Sequence, residues 1–308
     1  MNISISPRFQ GHELDTSPPA FGELRPSSDA LSDTSELRRR FEQEGYLYLP
    51  GLLDHNRILD ARLEALKKLE ASGFLDPDFP LTDGVAHPDF SQSFMPALAQ
   101  GNAPLLKVLY DGPMMDFYAR FLDGPVRHFD YTWCRAKPPG DESATRPHYD
   151  VVYMGRGTKR LHTSWTPLGD IPLRMGGLMI LEGSHRLEEV KSTYGQLDVD
   201  VYCTNYPDAA DIETGAKQWQ NPNGGTYAND AIATRTKFGG RWLTTDYEMG
   251  DVLIFSMYTM HASMDNQTNR IRLSTDTRYQ LASEPVDERW IGENPIAHGL
   301  QAKQGMIC

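Results

Sequence analysis

The chain has 308 residues, of which 39% are hydrophobic, and this is enough to build a substantial core in one large domain or two ordinary ones. Its formal net charge of −12 argues against a nucleic acid or an anionic membrane as partner, because either would require a basic face. The three cysteines, Cys134, Cys203 and Cys308, lack CxxC spacing, and there is no signal peptide or apolar run of roughly 18 residues, so we expect a cytoplasmic protein in a reducing compartment.

The first part of the chain is predicted to be helical after an irregular start. Residues 1–32 are rich in Ser, Pro, Gly and Asp without sustained periodicity, which predicts a flexible arm. Asp33 and Glu36 have the spacing of a capping box and Gly45 stands where a helix would end, so we expect a first helix between them. After the strand-like “YLYLPG”, Asp54 can cap a second helix whose leucines form one apolar stripe.

Strands are predicted from the middle of the chain onward. From residue 102 to residue 122 apolar residues still recur at helical spacing, and Gly112-Pro113 divides them into two short helices. The later segments are aromatic, extended and separated by turn residues: “VRHFDYTWCRAK”, “VVYM”, “LHTSWTPL”, “GGLMILEG”, “DVLIFSM” and “RIRLSTDTRYQ”. Helices followed by at least six such segments indicate an α+β fold with a β-sandwich or jelly-roll core.

One long polar segment interrupts the predicted strands. Residues 187–241 are rich in Gly and Asn with scattered aromatic residues, and a segment of this length inside a compact domain is typically a functional loop or lid. The alternative is a solvated insertion without a role. We therefore expect a single domain over residues 33–280 that contains a lid-like insertion, followed by a C-terminal tail over residues 281–308.

A His-x-Asp pair in a strand presents an imidazole and a carboxylate to one point, because side chains at i and i+2 share a face. This is two thirds of the 2-His-1-carboxylate triad that holds Fe(II) and leaves the remaining coordination positions open. Three such pairs occur: His87/Asp89, His128/Asp130 and His148/Asp150. The first contains a proline in a turn-rich stretch, and nothing downstream is spaced to complete a site with the second. The third, in “RPHYDVVYM”, follows a loop and is predicted to begin a strand, so it is the candidate metal-binding pair.

The candidate third ligand comes late in the chain, in “GDVLIFSMYTMHASMDNQTNRIRLS”. His261 ends an apolar strand, Ser263 follows two residues later, and Arg272 lies on the next strand. An arginine near a metal can pair bidentately with the carboxylate of an acidic co-substrate. From the residues alone, Arg272 could also be an exposed strand arginine, with Arg270 or Arg278 as the acid binder.

This constellation resembles the phytanoyl-CoA dioxygenase family of Fe(II)- and 2-oxoglutarate-dependent oxygenases. The resemblance extends from about residue 41 to residue 279 and includes “FEQEGYLYLPGLLD”, “KPPG”, “SWTPLGDI” and “GGLMILEGSHR”, with residues 187–241 unmatched. It implies a double-stranded β-helix, the cupin-like jelly roll, with flanking N-terminal helices. It also implies Fe(II) as cofactor, 2-oxoglutarate and O2 as co-substrates, and ascorbate as a helpful reductant.

The resemblance also assigns roles to individual residues. The positions that match the family's site are His148, Asp150 and His261 as iron ligands, Arg272 and Ser263 as holders of the distal carboxylate of 2-oxoglutarate, and Trp165 and Trp133 as lining of the co-substrate pocket. His185, in the “GSHR” turn, is not a ligand in the family, and His162 is expected to be a core histidine.

The implied reaction is oxidative decarboxylation of 2-oxoglutarate to succinate and CO2. It is coupled to oxidation of a C–H bond in a small organic substrate such as a natural-product intermediate. Hydroxylation is the default outcome, with desaturation, epoxidation and rearrangement as alternatives, and the carboxylate of Asp150 favours an oxygenase over the related halogenases, which lack it. Aromatic residues are candidates for a dry substrate pocket: Tyr149, Tyr153, Tyr202 and Trp219. Two other classes remain open, a non-catalytic jelly-roll protein that binds a small molecule and a cupin-type metal hydrolase or isomerase.

Overall fold

The fold consists of two facing β-sheets with helices packed around them. The computed structural model describes residues 6–140, 142–219, 221 and 224–308. The α-helices of these residues are α1 (Thr34–Glu44), α2 (His55–Ala71), α3 (Ala103–Tyr110), α4 (Pro113–Leu122), α5 (Val151–Met154), α6 (Glu188–Ser192), α7 (Ala209–Thr214) and α8 (Ala231–Phe238). The strands are β1 (Arg8–Phe9), β2 (His12–Glu13), β3 (Phe21–Glu23), β4 (Tyr46–Leu49), β5 (Val126–His128), β6 (Trp133–Lys137), β7 (His162–Pro167), β8 (Leu178–Leu181), β9 (Val201–Cys203), β10 (Trp242–Thr244), β11 (Val252–Ser256), β12 (His261–Ser263), β13 (Arg272–Leu281) and β14 (Gln304–Met306).

The two sheets enclose an interior that holds the candidate site. The larger sheet has the strand order β4-β11-β7-β13-β5, with β6 also paired to β13, and the smaller sheet has the order β12-β8-β10-β3. Apolar side chains of both sheets meet between them, among them Trp165 and Phe255 from the larger sheet and Ile180 from the smaller. This is the predicted α+β fold with a jelly-roll core.

The N-terminal helices cover the outer face of the larger sheet. Side chains alternate along a strand, so Leu273 and Tyr279 of β13 pack into the cluster formed with α2, α3 and α4. The predicted helix ends are confirmed, because the carboxylates of Asp33 and Asp54 cap α1 and α2, and Gly45 ends α1 with a φ of 77°. In the part of the chain that the structure describes, no helix combines the length and the apolar character needed to cross a bilayer.

The N-terminal segment differs from the expected flexible arm. Strands β1 and β2 form a hairpin, and β3 pairs in parallel with β10 at the edge of the smaller sheet. Phe9 is buried, and the carboxylate of Asp265 accepts a hydrogen bond from the amide of Gly11 at 2.8 Å. The Ser, Pro and Gly residues of this segment lie in turns between short edge strands, a use that composition alone does not distinguish from disorder. Residues 1–5 of the expected arm lie outside the described residues.

The insertion at residues 187–241 is structured and packs with the C-terminal segment. It contains α6, β9, α7 and α8, and β14 of the C-terminal segment pairs in parallel with β9. The buried carboxylate of Asp200 joins the two segments, because it contacts Arg289, His298 and Lys303. Residues 220, 222 and 223 of the insertion lie outside the described residues.

Candidate metal centre

Two histidines from different parts of the chain lie side by side at the interior. The backbones of His148 and His261 exchange two hydrogen bonds, each amide donating to the other residue's carbonyl, at 3.1 and 3.2 Å. His261 is the first residue of β12, and His148 lies opposite it as an isolated bridge. Asp150 follows two residues after His148, directly before α5.

The strand predicted for “VVYM” is wrong. Asp150 has a φ of −66° and a ψ of −26°, and Val151–Met154 form the short helix α5. The aspartate therefore reaches the site from a turn, and strand alternation does not explain its direction. The β-branched and aromatic residues favour a strand locally, but Val151, Val152 and Met154 pack into a buried cluster with residues of the insertion, and this tertiary packing outweighs the local preference.

The three predicted ligand side chains converge on one point. The Oδ1 atom of Asp150 lies 3.7 Å from Nε2 of His148 and 3.7 Å from Nε2 of His261. All three ligand atoms lie within 4.8 Å of one another, and all three residues are buried. These distances leave room for one ion between the atoms, so the structure brings together the predicted triad.

Hydrogen bonds on the far side of each imidazole fix the nitrogen that faces the centre. Nδ1 of His148 lies 2.8 Å from the carbonyl of Arg146, and Nδ1 of His261 lies 3.0 Å from the carbonyl of Thr259. A carbonyl only accepts, so each Nδ1 carries the proton and each Nε2 presents its lone pair to the common point. This is the arrangement in which histidine binds a metal through Nε2.

Burial keeps both imidazoles neutral. Desolvation, with repulsion from His261, lowers the pKa of His148 to about 3. Desolvation likewise lowers the pKa of His261. Burial by itself raises the pKa of Asp150, but the charge of Arg278 and the hydrogen bond from Thr163 oppose it, and the pKa lies below the usual value. The centre thus offers two neutral nitrogens and one carboxylate, the donor set that suits ferrous iron.

The second oxygen of Asp150 is held by the protein. Oδ2 accepts a hydrogen bond from the hydroxyl of Thr163 at 2.5 Å and one from Nη2 of Arg278 at 2.9 Å. The sequence pattern offers Arg278 only as an alternative acid binder and does not single out Thr163. The sequence did indicate that Arg278 faces the site, because it lies an even number of residues after Arg272 on the same strand, β13, and side chains at this spacing face the same side.

Arg272 and Ser263 are both buried. Arg272 is only 1% exposed; its Nη1 donates to the carbonyl of Gly176, and its Nε finds no partner among the described residues. Gly176 packs closely against the backbone of Met264, the residue after Ser263, and the hydroxyl of Ser263 accepts a hydrogen bond from the amide of Thr145 at 2.8 Å. Desolvation, with repulsion from Arg135, lowers the pKa of Arg272 to about 10. A buried guanidinium with a free donor is suited to an anionic ligand.

The two predicted co-substrate tryptophans lie at different places in the interior. Trp165 is fully buried with its ring centroid 4.7 Å from that of Tyr247, and its Nε1 finds no partner among the described residues. Trp133 lies over the guanidinium of Arg278, with 4.4 Å between the guanidinium carbon and the ring centroid. Trp133 and Trp165 lie opposite the same residue, Asp276, on the two sides of β13, so the two rings are separated across the sheet.

The predicted aromatic pocket is partly formed. Tyr153 and Trp219 line a cavity of about 430 Å³, and the ring of Tyr153 also lies 5.6 Å from that of His148, so Tyr153 stands between the cavity and the centre. Tyr202 stands behind Trp219, with 6.2 Å between ring centroids. Tyr149 is wrongly predicted as pocket lining, because it lies between the two ligand residues, points away from them and donates to the buried carbonyl of Ser184 at 2.7 Å.

The remaining histidines considered in the sequence lie away from the centre. The side chains of His87 and His128 are 40% and 28% exposed beside their aspartate neighbours, and neither joins a group of three potential ligands among the described residues. His162 is buried on the outer face of β7, where its ring lies 5.0 Å from that of Phe41. His185 lies in a turn with Nε2 next to a backbone carbonyl of α1. These positions agree with the structural roles expected for His162 and His185.

Comparison with known proteins identifies similar sequences over most of the chain. A family model described as phytanoyl-CoA dioxygenase (PhyH) matches residues 41–274. The 1-deoxypentalenic acid 11-beta-hydroxylase of Streptomyces exfoliatus is 27% identical over 264 residues, which cover 82% of this chain and 83% of that protein. The enzyme of the same description from Streptomyces arenae is 26% identical over 279 residues, which cover 85% of this chain and 87% of that protein.

Solved structures with the same architecture have lower sequence identity. The non-heme alpha ketoglutarate dependent epimerase SnoN from nogalamycin biosynthesis has a TM-score of 0.56 at 17% identity, covering 86% of this chain and 92% of that chain. EctD from S. alaskensis with bound Fe has a TM-score of 0.57 at 17% identity, covering 98% of this chain and 99% of that chain. At these identities the structures support the jelly-roll fold.

Proposed function

The chain belongs to the phytanoyl-CoA dioxygenase family and is accordingly an Fe(II)- and 2-oxoglutarate-dependent dioxygenase, and we propose that it hydroxylates a C–H bond of a small natural-product intermediate. The observation that carries the assignment of the site is the convergence of His148, Asp150 and His261, whose ligand atoms lie within 4.8 Å of one another. Two Nε2 lone pairs and one carboxylate oxygen fit ferrous iron and leave open positions for the co-substrates.

The protein's own residues bind and orient the reactants. His148, Asp150 and His261 would hold Fe(II), which with 2-oxoglutarate and O2 would supply the oxidising chemistry that converts C–H to C–OH with release of succinate and CO2. Arg272 and Ser263 would hold the distal carboxylate of 2-oxoglutarate, since the guanidinium is buried and has a free Nε. Trp165 would form part of the apolar wall beside it and exclude water from the interior.

The cavity next to the centre is our candidate for the substrate site. It is lined by Tyr153 and Trp219 together with residues of the insertion and of the C-terminal segment, so the insertion would act as the lid. A volume of about 430 Å³ suits a small organic molecule. The curated relatives are named for hydroxylation of 1-deoxypentalenic acid, and this supports a natural-product intermediate as the substrate class.

The proposal is tested by isotope labelling. The purified protein is supplied with Fe(II), ascorbate, 2-oxoglutarate and a metabolite extract under ¹⁸O₂, and succinate and new products are followed by mass spectrometry. We expect one labelled oxygen atom in succinate and one in a product that is heavier by one oxygen, and neither in the His148→Ala variant.

The two competing classes give different results in the same experiment. A metal hydrolase or isomerase would take oxygen from labelled water and would not consume 2-oxoglutarate. A binding protein would retain a molecule from the extract without forming succinate. Either result with iron-loaded protein would refute the proposed function.

A further inference from the structure

The two oxygens of Asp150 have different surroundings, and we infer that Arg278 and Thr163 are positioning residues that keep Asp150 a one-oxygen ligand of the metal. The inference rests on the proposed function, because it takes His148, Asp150 and His261 as the iron ligands. It concerns residues that belong to neither the predicted ligand set nor the predicted co-substrate pocket.

The geometry divides the carboxylate into a metal side and a protein side. Oδ1 lies 3.7 Å from Nε2 of each histidine, whereas Oδ2 accepts from the Thr163 hydroxyl at 2.5 Å and from Arg278 Nη2 at 2.9 Å. A carboxylate oxygen with two donors, one of them charged, has its lone pairs directed to those donors. Rotation of the carboxylate toward a two-oxygen mode would break both hydrogen bonds inside a buried site.

Both donors are themselves fixed by the larger sheet. Thr163 lies on β7 between two partner strands, opposite Phe255 of β11 and opposite Arg278 of β13. Directly opposite residues share one face of a sheet, so the hydroxyl and the guanidinium approach Asp150 from adjacent positions. The ring of Trp133 covers the guanidinium at 4.4 Å, and the Arg278 side chain is only 3% exposed. Trp133 therefore supports Arg278, a different role from the co-substrate contact expected for it.

The number of metal positions explains why this matters for the reaction. A six-coordinate metal with three protein atoms has three open positions. A 2-oxo acid bound as a chelate would take two of these, which would leave one for O2. A second oxygen from Asp150 would occupy that last position or displace one arm of the co-substrate. Holding Oδ2 on the protein thus preserves the position that O2 needs, and it also orients Oδ1 for the metal.

The test uses isosteric changes at the two donors. Thr163→Val removes only the hydroxyl, Thr163→Ser keeps it, and Arg278→Met removes the charged donor while retaining a long side chain. Arg127→Gln serves as a matched control, since Arg127 is exposed on the neighbouring strand β5. Thermal unfolding of the metal-free proteins first establishes that each variant folds.

Three measurements follow on the folded variants. They are the Fe(II) dissociation constant under argon, the absorption band of the anaerobic Fe(II)-2-oxoglutarate complex, and the ratio of succinate to oxidised product. We expect roughly 10-fold weaker iron binding for each of Thr163→Val and Arg278→Met, a shifted absorption band, and a ratio of succinate to product that rises above that of the wild type. Thr163→Ser and Arg127→Gln should match the wild type. Because both donors hold one oxygen, the double variant should lose less than the product of the two single losses.

The outcomes separate this inference from the proposed function. If the wild-type protein binds iron and forms succinate while Thr163→Val and Arg278→Met show unchanged affinity, spectrum and ratio, the positioning role is refuted and the proposed function stands. If the wild-type protein forms no Fe(II)-2-oxoglutarate complex, the proposed function itself fails.

Discussion

Replacing Arg272 by methionine should stabilise the protein in the absence of 2-oxoglutarate while strongly weakening co-substrate binding. Desolvation and the charge of Arg135 lower the pKa of Arg272 from 12.5 to about 10. A lowered pKa means that the folded state disfavours the charged guanidinium, and below pH 10 this penalty is fully present. The difference between 12.5 and about 10 corresponds to about 3 kcal/mol at pH 7. Methionine removes that penalty and loses the hydrogen bond to Gly176, worth about 1–2 kcal/mol.

The expected net effect without 2-oxoglutarate is a gain of about 1–2 kcal/mol, or roughly 2–4 °C in Tm for a chain of this size. With 2-oxoglutarate bound, the wild type should be more stable than the variant, because loss of the buried charge pair between Arg272 and the co-substrate costs about 2–5 kcal/mol. This corresponds to roughly a 30-fold to several-thousand-fold rise in the co-substrate KM. Scanning calorimetry of iron-loaded protein under argon, with and without 2-oxoglutarate, measures the changes in stability, and succinate formation at varied 2-oxoglutarate concentration measures the KM.

Arg270→Met is the matched control for this prediction. Arg270 precedes Arg272 by two residues, its side chain is 50% exposed, and it lies 3.7 Å from Asp83. From the residues alone it was an alternative candidate for the acid binder, and its replacement should leave the response to 2-oxoglutarate unchanged. If Arg272→Met were less stable than the wild type without 2-oxoglutarate, and were stabilised by 2-oxoglutarate as strongly, the reasoning would be refuted.

Three further predictions concern the core, the cavity and a helix end. Burial lowers the pKa of His162 to about 4, so between pH 6.5 and pH 4 the unfolded chain takes up a proton before the folded protein does, and up to about 3 kcal/mol of stability is lost as the pH falls. In the His162→Phe variant this part of the loss should disappear. Equal losses of stability in both proteins, measured by urea unfolding across this pH range, would contradict the prediction. Trp219→Ala should raise the substrate KM about 5- to 30-fold through lost aromatic contact without changing the KM for 2-oxoglutarate, and a change in both would argue against its place in the substrate cavity. Gly45→Ala should destabilise the protein by at least about 1–2 kcal/mol, measured by chemical unfolding. The residue has a φ of 77°, and an added Cβ would lie 2.4 Å from Nδ1 of His185. A variant as stable as the wild type would show that the turn relaxes easily.

Features that depend on neighbours in sequence were predictable. Asp33, Asp54 and Gly45 mark helix ends through hydrogen bonds and backbone angles within a few residues, so the pattern carries the information. The triad was also accessible, because two ligands lie two residues apart in sequence and the third is marked by the spacing of His261, Ser263 and Arg272. The order of helices and strands was sufficient for the fold class.

Features that depend on distant packing were not predictable. Asp150 lies before a helix because the residues after it are buried against the insertion, and no local signal in “VVYM” reports that contact. The wrong strand prediction for “VVYM” also led to the wrong direction for the Tyr149 side chain. The N-terminal residues gain their order by adding β3 to the edge of β10, a pairing between segments more than two hundred residues apart. Thr163 had no distinguishing feature until the fold placed it beside Asp150.

The reciprocal main-chain pairing of His148 with His261 has a consequence for assembly of the centre. Because the backbone pairing, and not the ion, sets the separation of the two imidazoles, removing the iron with a chelator should leave their arrangement intact. Adding iron back should then need no refolding step. The ion therefore binds side chains that are already in position, because the entropy cost of ordering them is incurred when the backbones of His148 and His261 pair during folding. Removal and reloading of iron are therefore expected to be reversible, with no loss of the folded structure in between.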